Sequence, residues 1–543
     1  MPFDRRIHCC LAVLTVLTVA AGPSFAATCE ELAGLTLPNT TITAARVVPA
    51  GTFAAPAPPV ANRGGAAPAG GPGGAGAGRG GAGGGNPAAQ AAYKRLPDFC
   101  RVEATLTPSS DSDIRMEVWL PSSGWNGKFQ AVGNGGWAGS ISYPALAAAV
   151  AGGYASASTD TGHRGNSAQF ALGHPEKVVD IGYRAVHEMT VKAKAIINAM
   201  YAAPPKLSFW NGCSLGGRQG LTEAMRYPAD FDGILAGAPA VDWIRLHSGR
   251  IAMNLAINAS PAHRIPEDKY PAIHQAVLAA CDGRDGVKDG VIENPERCTF
   301  DPRALQCGGS DGATCLTPAQ VEAARTFYAP VTHPSTKATI LPGLAPGAEL
   351  DWDTLGGSEP QRNALEAFKY VVHGDPNWDW RTFNAATDFD LADKVDGGTL
   401  ASADPNLKPF FDRGGKLIMY HGWSDPQVTP LNTVNYFKKV VDTVGASAVG
   451  ASLQLYMVPG MLHCQGGPGT DTFDKMAAIE SFVATGRAPT HIVASHITGG
   501  KVDRTRPLCP YGQVAKWKGT GSTDDAPNFT CTAEASSAGA TRP

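Results

Sequence analysis

Long runs of basic residues are missing from this sequence, and with them the electrostatic footprint of a nucleic-acid or anionic-surface binder. Lys and Arg number 45 against 48 Asp and Glu, a net charge of −3. No Cys-x-x-Cys pair occurs, which argues against a zinc site. No internal repeat is visible. Past residue 21 no apolar stretch is long enough to cross a bilayer, so the mature protein is expected to be soluble.

What is present points to a large folded protein. With 543 residues, 43% of them hydrophobic, and ten Trp, the chain can bury an extensive core. That length suits one big domain with an insertion, or two domains. Arg5 and Arg6 precede an apolar run from Cys9 to Ala21, and Ser24-Phe25-Ala26 offers the small residues of a cleavage site. Residues 1–26 therefore read as a secretory signal peptide, and the mature protein is expected to be secreted or periplasmic.

Cysteine usage agrees with export. Beyond the leader lie ten: Cys29, Cys100, Cys213, Cys281, Cys298, Cys307, Cys315, Cys464, Cys509 and Cys531. An even count in an exported chain reads as disulfides, although counting alone does not fix the pairing. Residues 50–92 are dominated by Gly, Ala and Pro and read as a disordered insert, because such a segment cannot offset its ordering entropy.

From residue 100 the pattern alternates. Met116–Leu120, Lys128–Val132, Tyr154–Thr159, Leu207–Trp210, Gly233–Ala236, Lys416–Tyr420 and Leu453–Val458 read as strands. Val178–Tyr201, Leu215–Arg226, Leu431–Val444 and Phe473–Thr485 read as helices. This predicts a mostly parallel sheet covered by helices, an α/β fold. Residues 241–405 break the rhythm with four cysteines and many prolines, and read as an insertion above the sheet. The catalytic part is then 100–240 with 406–535.

Chemistry concentrates in three places. Leu207–Trp210 leads into Gly212-Cys213-Ser214-Leu215-Gly216 and then a helix, the strand–G-x-S-x-G–helix pattern of a nucleophile elbow. Its serine sits in a strained turn, so bulky residues at 212 or 216 would collide across it. Leu215 would present its N–H to an oxyanion. Downstream, Asp425 follows the strand Lys416–Tyr420 and His463 follows Leu453–Val458, the order in which such an elbow takes its acid and base. Ser214, Asp425 and His463 therefore read as a triad, with His463 accepting the serine proton and Asp425 orienting the imidazole. His421 is the rival base, but it precedes the acid. Cys213 adjoins Ser214 and Cys464 adjoins His463, so contact between serine and histidine would make the two sulfurs neighbours.

The long motifs Asn211–Gly220, Asp230–Pro239, Lys416–Pro426 and Pro459–Gly469 resemble those of the tannase and feruloyl esterase family, from about Cys100 to Cys531. The resemblance implies an α/β-hydrolase fold with 241–405 as a lid over the active site. It implies hydrolysis of a small ester of an aromatic acid, of feruloyl, galloyl or terephthaloyl type, through an acyl-enzyme. It also implies the Cys213–Cys464 bridge and the pairings 29–100, 281–298, 307–315 and 509–531. Asp282, Asp285 and Asp289, with the carbonyls of Val287 and Val291, offer hard oxygen ligands, and the resemblance implies a structural Ca²⁺ there. Gly133-Asn134-Gly135-Gly136-Trp137 resembles the family's oxyanion loop, with Gly136 favoured over Gly135 as second donor. Trp137, Trp423, Trp378, Trp380 and Phe383 are candidates for an aromatic pocket. A serine peptidase and a non-catalytic binding protein on the same fold are the alternatives.

Overall fold

Alternation along single strands shows how the sheet is buried. On Lys416–Gly422, Leu417 and Met419 enter one hydrophobic core, whereas Ile418 and Tyr420 enter another. Side chains with a period of two point to opposite faces, so this strand is covered on both sides. In the computed structural model, which describes residues 26–56 and 87–533, it is one of nine strands in a central sheet.

Those strands are β1 (Thr40–Val48), β2 (Phe99–Leu106), β3 (Ile114–Pro121), β4 (Lys128–Val132), β5 (Ala155–Thr159), β6 (Leu207–Cys213), β7 (Gly233–Gly237), β8 (Lys416–Gly422) and β9 (Leu453–Val458). Their spatial order is β1-β2-β3-β5-β4-β6-β7-β8-β9. The pairs from β1 to β5 are antiparallel, and those from β5 through β4 to β9 are parallel. The parallel part with its crossing helices is the α/β-hydrolase fold.

Helices cover both faces. The helix α1 (Pro87–Tyr93) precedes β2, and α2 (Tyr143–Ala151) lies between β4 and β5. On one face lie α3 (Ala185–Tyr201), α4 (Leu215–Arg226) and the later α6 (Pro430–Val444). Val186, Met189, Ala193, Ile196 and Ile197 of α3 recur at helical spacing and supply that core. The other face takes Ala149 of α2 and Ile479 and Phe482 of α7 (Lys475–Thr485). The helix expected from Val178 is interrupted: residues Asp180–Arg184 form a wider π-turn before α3 begins. There Asp180 is buried and bonded to Arg184 and Ser112.

Residues 241–405 join β7 to β8, which are neighbours in the sheet. This stretch gathers its own core, including Trp243, Phe327, Trp352 and Phe368, and that core takes in Trp137 and Leu215 from the strand ends. After α7 the described residues form two antiparallel pairs, β10 (Ile492–Thr498) with β11 (Lys501–Leu508) and β12 (Gln513–Trp517) with β13 (Phe529–Ala533).

The ten expected cysteines are joined as 29–100, 213–464, 281–298, 307–315 and 509–531. The expected signal segment falls outside the described residues, apart from Ala26, as do residues 57–86 of the Gly/Ala/Pro-rich insert. The ends of the 50–92 segment differ from the expectation of disorder. Phe53 is buried with its ring centroid 4.5 Å from Trp119 and 5.1 Å from Tyr93, and α1 carries that tyrosine. These aromatic contacts, with the Gly51 N–H on the Leu96 carbonyl at 3.1 Å, hold the described ends of the segment in place.

Candidate active site

Ser214 stands between β6 and α4 with φ 64° and ψ −123°. A side chain other than glycine is strained in that region, and the strain lifts the serine off the sheet onto a sharp corner. Close packing beneath it enforces the glycines: a Cβ on Gly212 would lie 2.4 Å from the carbonyl oxygen of Gly216. The Ser214 N–H is held by the Gly237 carbonyl at 2.9 Å, and Trp210 donates its indole N–H to Gly216 O at 2.8 Å.

The acid and base lie on loops that leave β8 and β9. His463 Nδ1 is 2.7 Å from Asp425 Oδ2, so the two sequence-predicted partners meet. Asp425 is fully buried, whereas the His463 side chain is 14% exposed and Ser214 is partly exposed. That gradient suits a buried orienting acid beneath groups that must reach a substrate. The two loops are fastened together: Ser424 N donates to Met461 O at 3.0 Å, and Trp423 N to Val458 O at 2.9 Å. A Cβ on Gly422 would lie 2.1 Å from Met461 O, which explains the glycine ending β8.

Burial alone would push the Asp425 carboxyl up. The facing His463 and His421 imidazoles outweigh it and hold the group well below the ordinary carboxylate range. Asp425 Oδ1 also accepts backbone N–H groups from Gln427 at 2.7 Å and Val428 at 3.0 Å. No hydrogen bond joins Ser214 Oγ to His463 among the described residues. The disulfide does bring their neighbours together, with the Cα atoms of Cys213 and Cys464 6.1 Å apart. Serine–histidine bonds often tighten only when substrate binds.

The glycine-rich loop after β4 is stapled to the start of α4. Asn134 O accepts from Gly216 N at 2.9 Å, and Asn134 exchanges two bonds with the Gln219 side chain, each 3.1 Å. This sets residues 133–136 beside the elbow. Gly136 has φ +55°, and Leu215 opens α4, where an N–H has no partner within its own helix.

Of the candidate aromatics, Trp137 and Trp423 are buried, and Trp378, Trp380 and Phe383 are partly exposed. Trp137 stacks on Trp243 at 4.1 Å and donates to Asn363 O at 3.1 Å, tying the 241–405 segment to the loop after β4. Sequence reasoning missed Arg250, which lies on the helix α5 (Trp243–Ile257) and donates to the carbonyl of Gln427, two residues beyond the acid. An arginine at a helical position carries no sequence signal for that contact.

The predicted calcium residues form one loop between Cys281 and Cys298. Asp282 accepts N–H groups of Asp289 and Gly290, Asp285 that of Val287, and Asp289 that of Val291. Burial pushes the Asp285 carboxyl up to about 6, with the charges of Asp289 and Asp282 adding to the shift. Arg506 pairs with Asp289 from β11. The donor types, all oxygen, suit Ca²⁺, but Asp289 is taken by Arg506 and the three carboxylates do not converge on one point among the described residues.

Comparison with known proteins decides the family. Residues 100–532 match the model described as tannase and feruloyl esterase. The chain belongs to that family. It is 37% identical to an esterase of Xanthomonas campestris, over 96% of this chain and 93% of the other. A probable feruloyl esterase B-1 of Aspergillus oryzae is 33% identical, over 80% of this chain and 84% of its own length. The crystal structure of feruloyl esterase B from Aspergillus oryzae superposes with a TM-score of 0.82 at 29% identity, covering 93% of this chain and 99% of that one. The tannin acyl hydrolase of Aspergillus niger, with a TM-score of 0.74 at 21% identity, shares the fold. The protein is an esterase of this family.

Proposed function

We propose that this esterase is exported and hydrolyses esters of aromatic acids through an acyl-enzyme on Ser214. The observation that carries the reading is the 2.7 Å contact between His463 and Asp425, set beside a disulfide whose half-cystines adjoin the serine and the histidine. His463 Nε2 takes the proton as Ser214 Oγ forms a bond to the ester carbonyl carbon. The carbonyl electrons move to oxygen, where the N–H groups of Leu215 and Gly136 receive the charge. Collapse breaks the bond to the alcohol oxygen, which leaves with the proton from His463. Water then repeats the sequence on the acyl-enzyme, releasing the acid and restoring Ser214.

Aromatic acyl groups are favoured by the relatives named feruloyl esterase and by the aromatic residues of the segment above the strand ends. Export is supported by five disulfides. The loop Asp282–Val291 serves as a structural Ca²⁺ site, with the carboxylates of Asp282, Asp285 and Asp289 and the carbonyls of Val287 and Val291 as ligands. Such an ion supplies fold stability, and the Cys281–Cys298 bridge braces the same loop. Turnover of a panel of aryl esters and matched anilides tests the reading: ester cleavage without amide cleavage supports it, amide cleavage points to a peptidase, and no turnover to a binding protein.

A further inference from the structure

The carboxylate of Asp425 serves two imidazoles. Besides His463, His421 brings Nε2 to 2.9 Å from the same Oδ2. The same Nε2 lies 2.9 Å from the carbonyl oxygen of Val428. Both neighbours only accept, so His421 Nε2 carries a proton and donates to them. Its Nδ1 sits 2.7 Å from Thr433 Oγ1 at the start of α6, which fixes the ring from behind. His421, Asp425 and Thr433 are all fully buried, so His421 has no path to a substrate. With the N–H groups of Gln427 and Val428 on Oδ1, four donors hold the carboxylate. Arg250 is the other charged group facing this loop, through the Gln427 carbonyl.

We propose that His421 is a positioning residue for catalysis: Thr433, His421 and Asp425 form a buried chain that sets the direction and charge of the carboxylate offered to His463. This rests on the triad reading above. Removing the His421 donor leaves more negative charge on Oδ2 toward His463 and loosens its orientation. The first effect stabilises the His463 imidazolium and moves the acidic limb of the kcat/KM profile to higher pH. The second lowers kcat while leaving KM in place.

The test compares His421→Met, which removes the donor, with His421→Gln, whose amide N–H can replace it. Thr433→Val, which frees the ring and keeps the packing, serves if His421→Met does not fold. Each is measured for the pH dependence of kcat/KM on an aryl ester and for the rate at which an aryl phosphonate modifies Ser214. The expected result is a fall of about 10²-fold in kcat for His421→Met with KM nearly unchanged. The acidic limb moves upward, and His421→Gln recovers most of the rate. Thr433→Val shows the same direction with a loss of about tenfold. Equal rates, limbs and Ser214 modification in all variants and wild type overturn the role of His421 and leave the triad standing. So does an equal loss in both His421 variants with the limb unmoved, which marks a structural role. Absence of Ser214 modification in the wild type overturns the triad reading and this inference with it.

Discussion

Cys213 and Cys464 are covalently joined across 251 positions of sequence, with their Cα atoms 6.1 Å apart. The bridge ties the residue before the nucleophile, at the end of β6, to the residue after the base, on the loop that leaves β9. Cys464 is held at φ 67°, outside the ordinary region for a residue with a Cβ, and the bond fixes it there. Replacing both cysteines by Ala should lower kcat by about 10²-fold, since a shift near 1 Å at the reacting groups has that effect. The same double replacement at Cys307 and Cys315 should leave kcat within a few-fold. Steady-state kinetics of the two variants on one aryl ester checks the contrast.

Replacing Ser214 by Ala should leave the fold intact and remove turnover by about 10⁴-fold or more. Alanine keeps the Cβ and with it the backbone strain of this position, so the melting temperature should stay close to that of wild type. Kinetics and a melting curve on the same preparation decide it; retention of a tenth of the activity would rule the serine out.

The loop Asp282–Val291 predicts a melting temperature that depends on calcium. An ion bound only by the folded state stabilises it by mass action, by about 2.7 kcal/mol at a hundredfold excess over Kd. Chelation, or Asp285→Ala with Asp289→Ala, should lower the melting temperature, and added Ca²⁺ should restore only the chelated wild type. An unchanged melting curve after chelation, with no metal by elemental analysis, contradicts the site.

Asp160 gives a pH dependence whose sign follows from its surroundings. Burial raises its carboxyl to about 7, against the N–H bonds from Gly162 and Arg115 that favour the anion. A raised carboxyl means that the folded state holds the proton more tightly than the unfolded chain. The stabilisation is complete below the ordinary pKa near 4 and is lost as pH climbs through about 7. Asp160→Asn removes this loss. Its melting temperature relative to wild type should therefore be more favourable at pH 8 than at pH 4, and a constant difference would contradict the assignment.

Much of this was legible in the sequence, for identifiable reasons. β4, β9 and α4 begin and end where their apolar patterns do, because their burial is set by their own side chains. β6 and β8 run past their expected ends through Asn211-Gly212-Cys213 and His421-Gly422, polar or small residues that stay in the sheet because the site is built on them. β1 and β2 escaped sequence reasoning. The strand β2 reads Phe-Cys-Arg-Val-Glu, and Arg101 is buried against Glu117 on β3 at 2.8 Å and Glu103 on its own strand at 3.0 Å. A cross-strand ion pair has no local signature. The proposed triad is read from motif and chain order, and of its contacts the structure shows that between Asp425 and His463. The sharing of Asp425 by His421 needed coordinates, because His421 resembles a competing base in sequence and lies behind the acid.

The central claim is that Ser214 carries the acyl group, and trapping the intermediate tests it most directly. The enzyme is mixed with an aryl ester, quenched in acid within milliseconds, digested and mapped by mass spectrometry. The account predicts a mass increase equal to the acyl group on the peptide containing Ser214, absent from the Ser214→Ala variant. Turnover with that peptide unmodified, or with the acyl group on another residue, would contradict it.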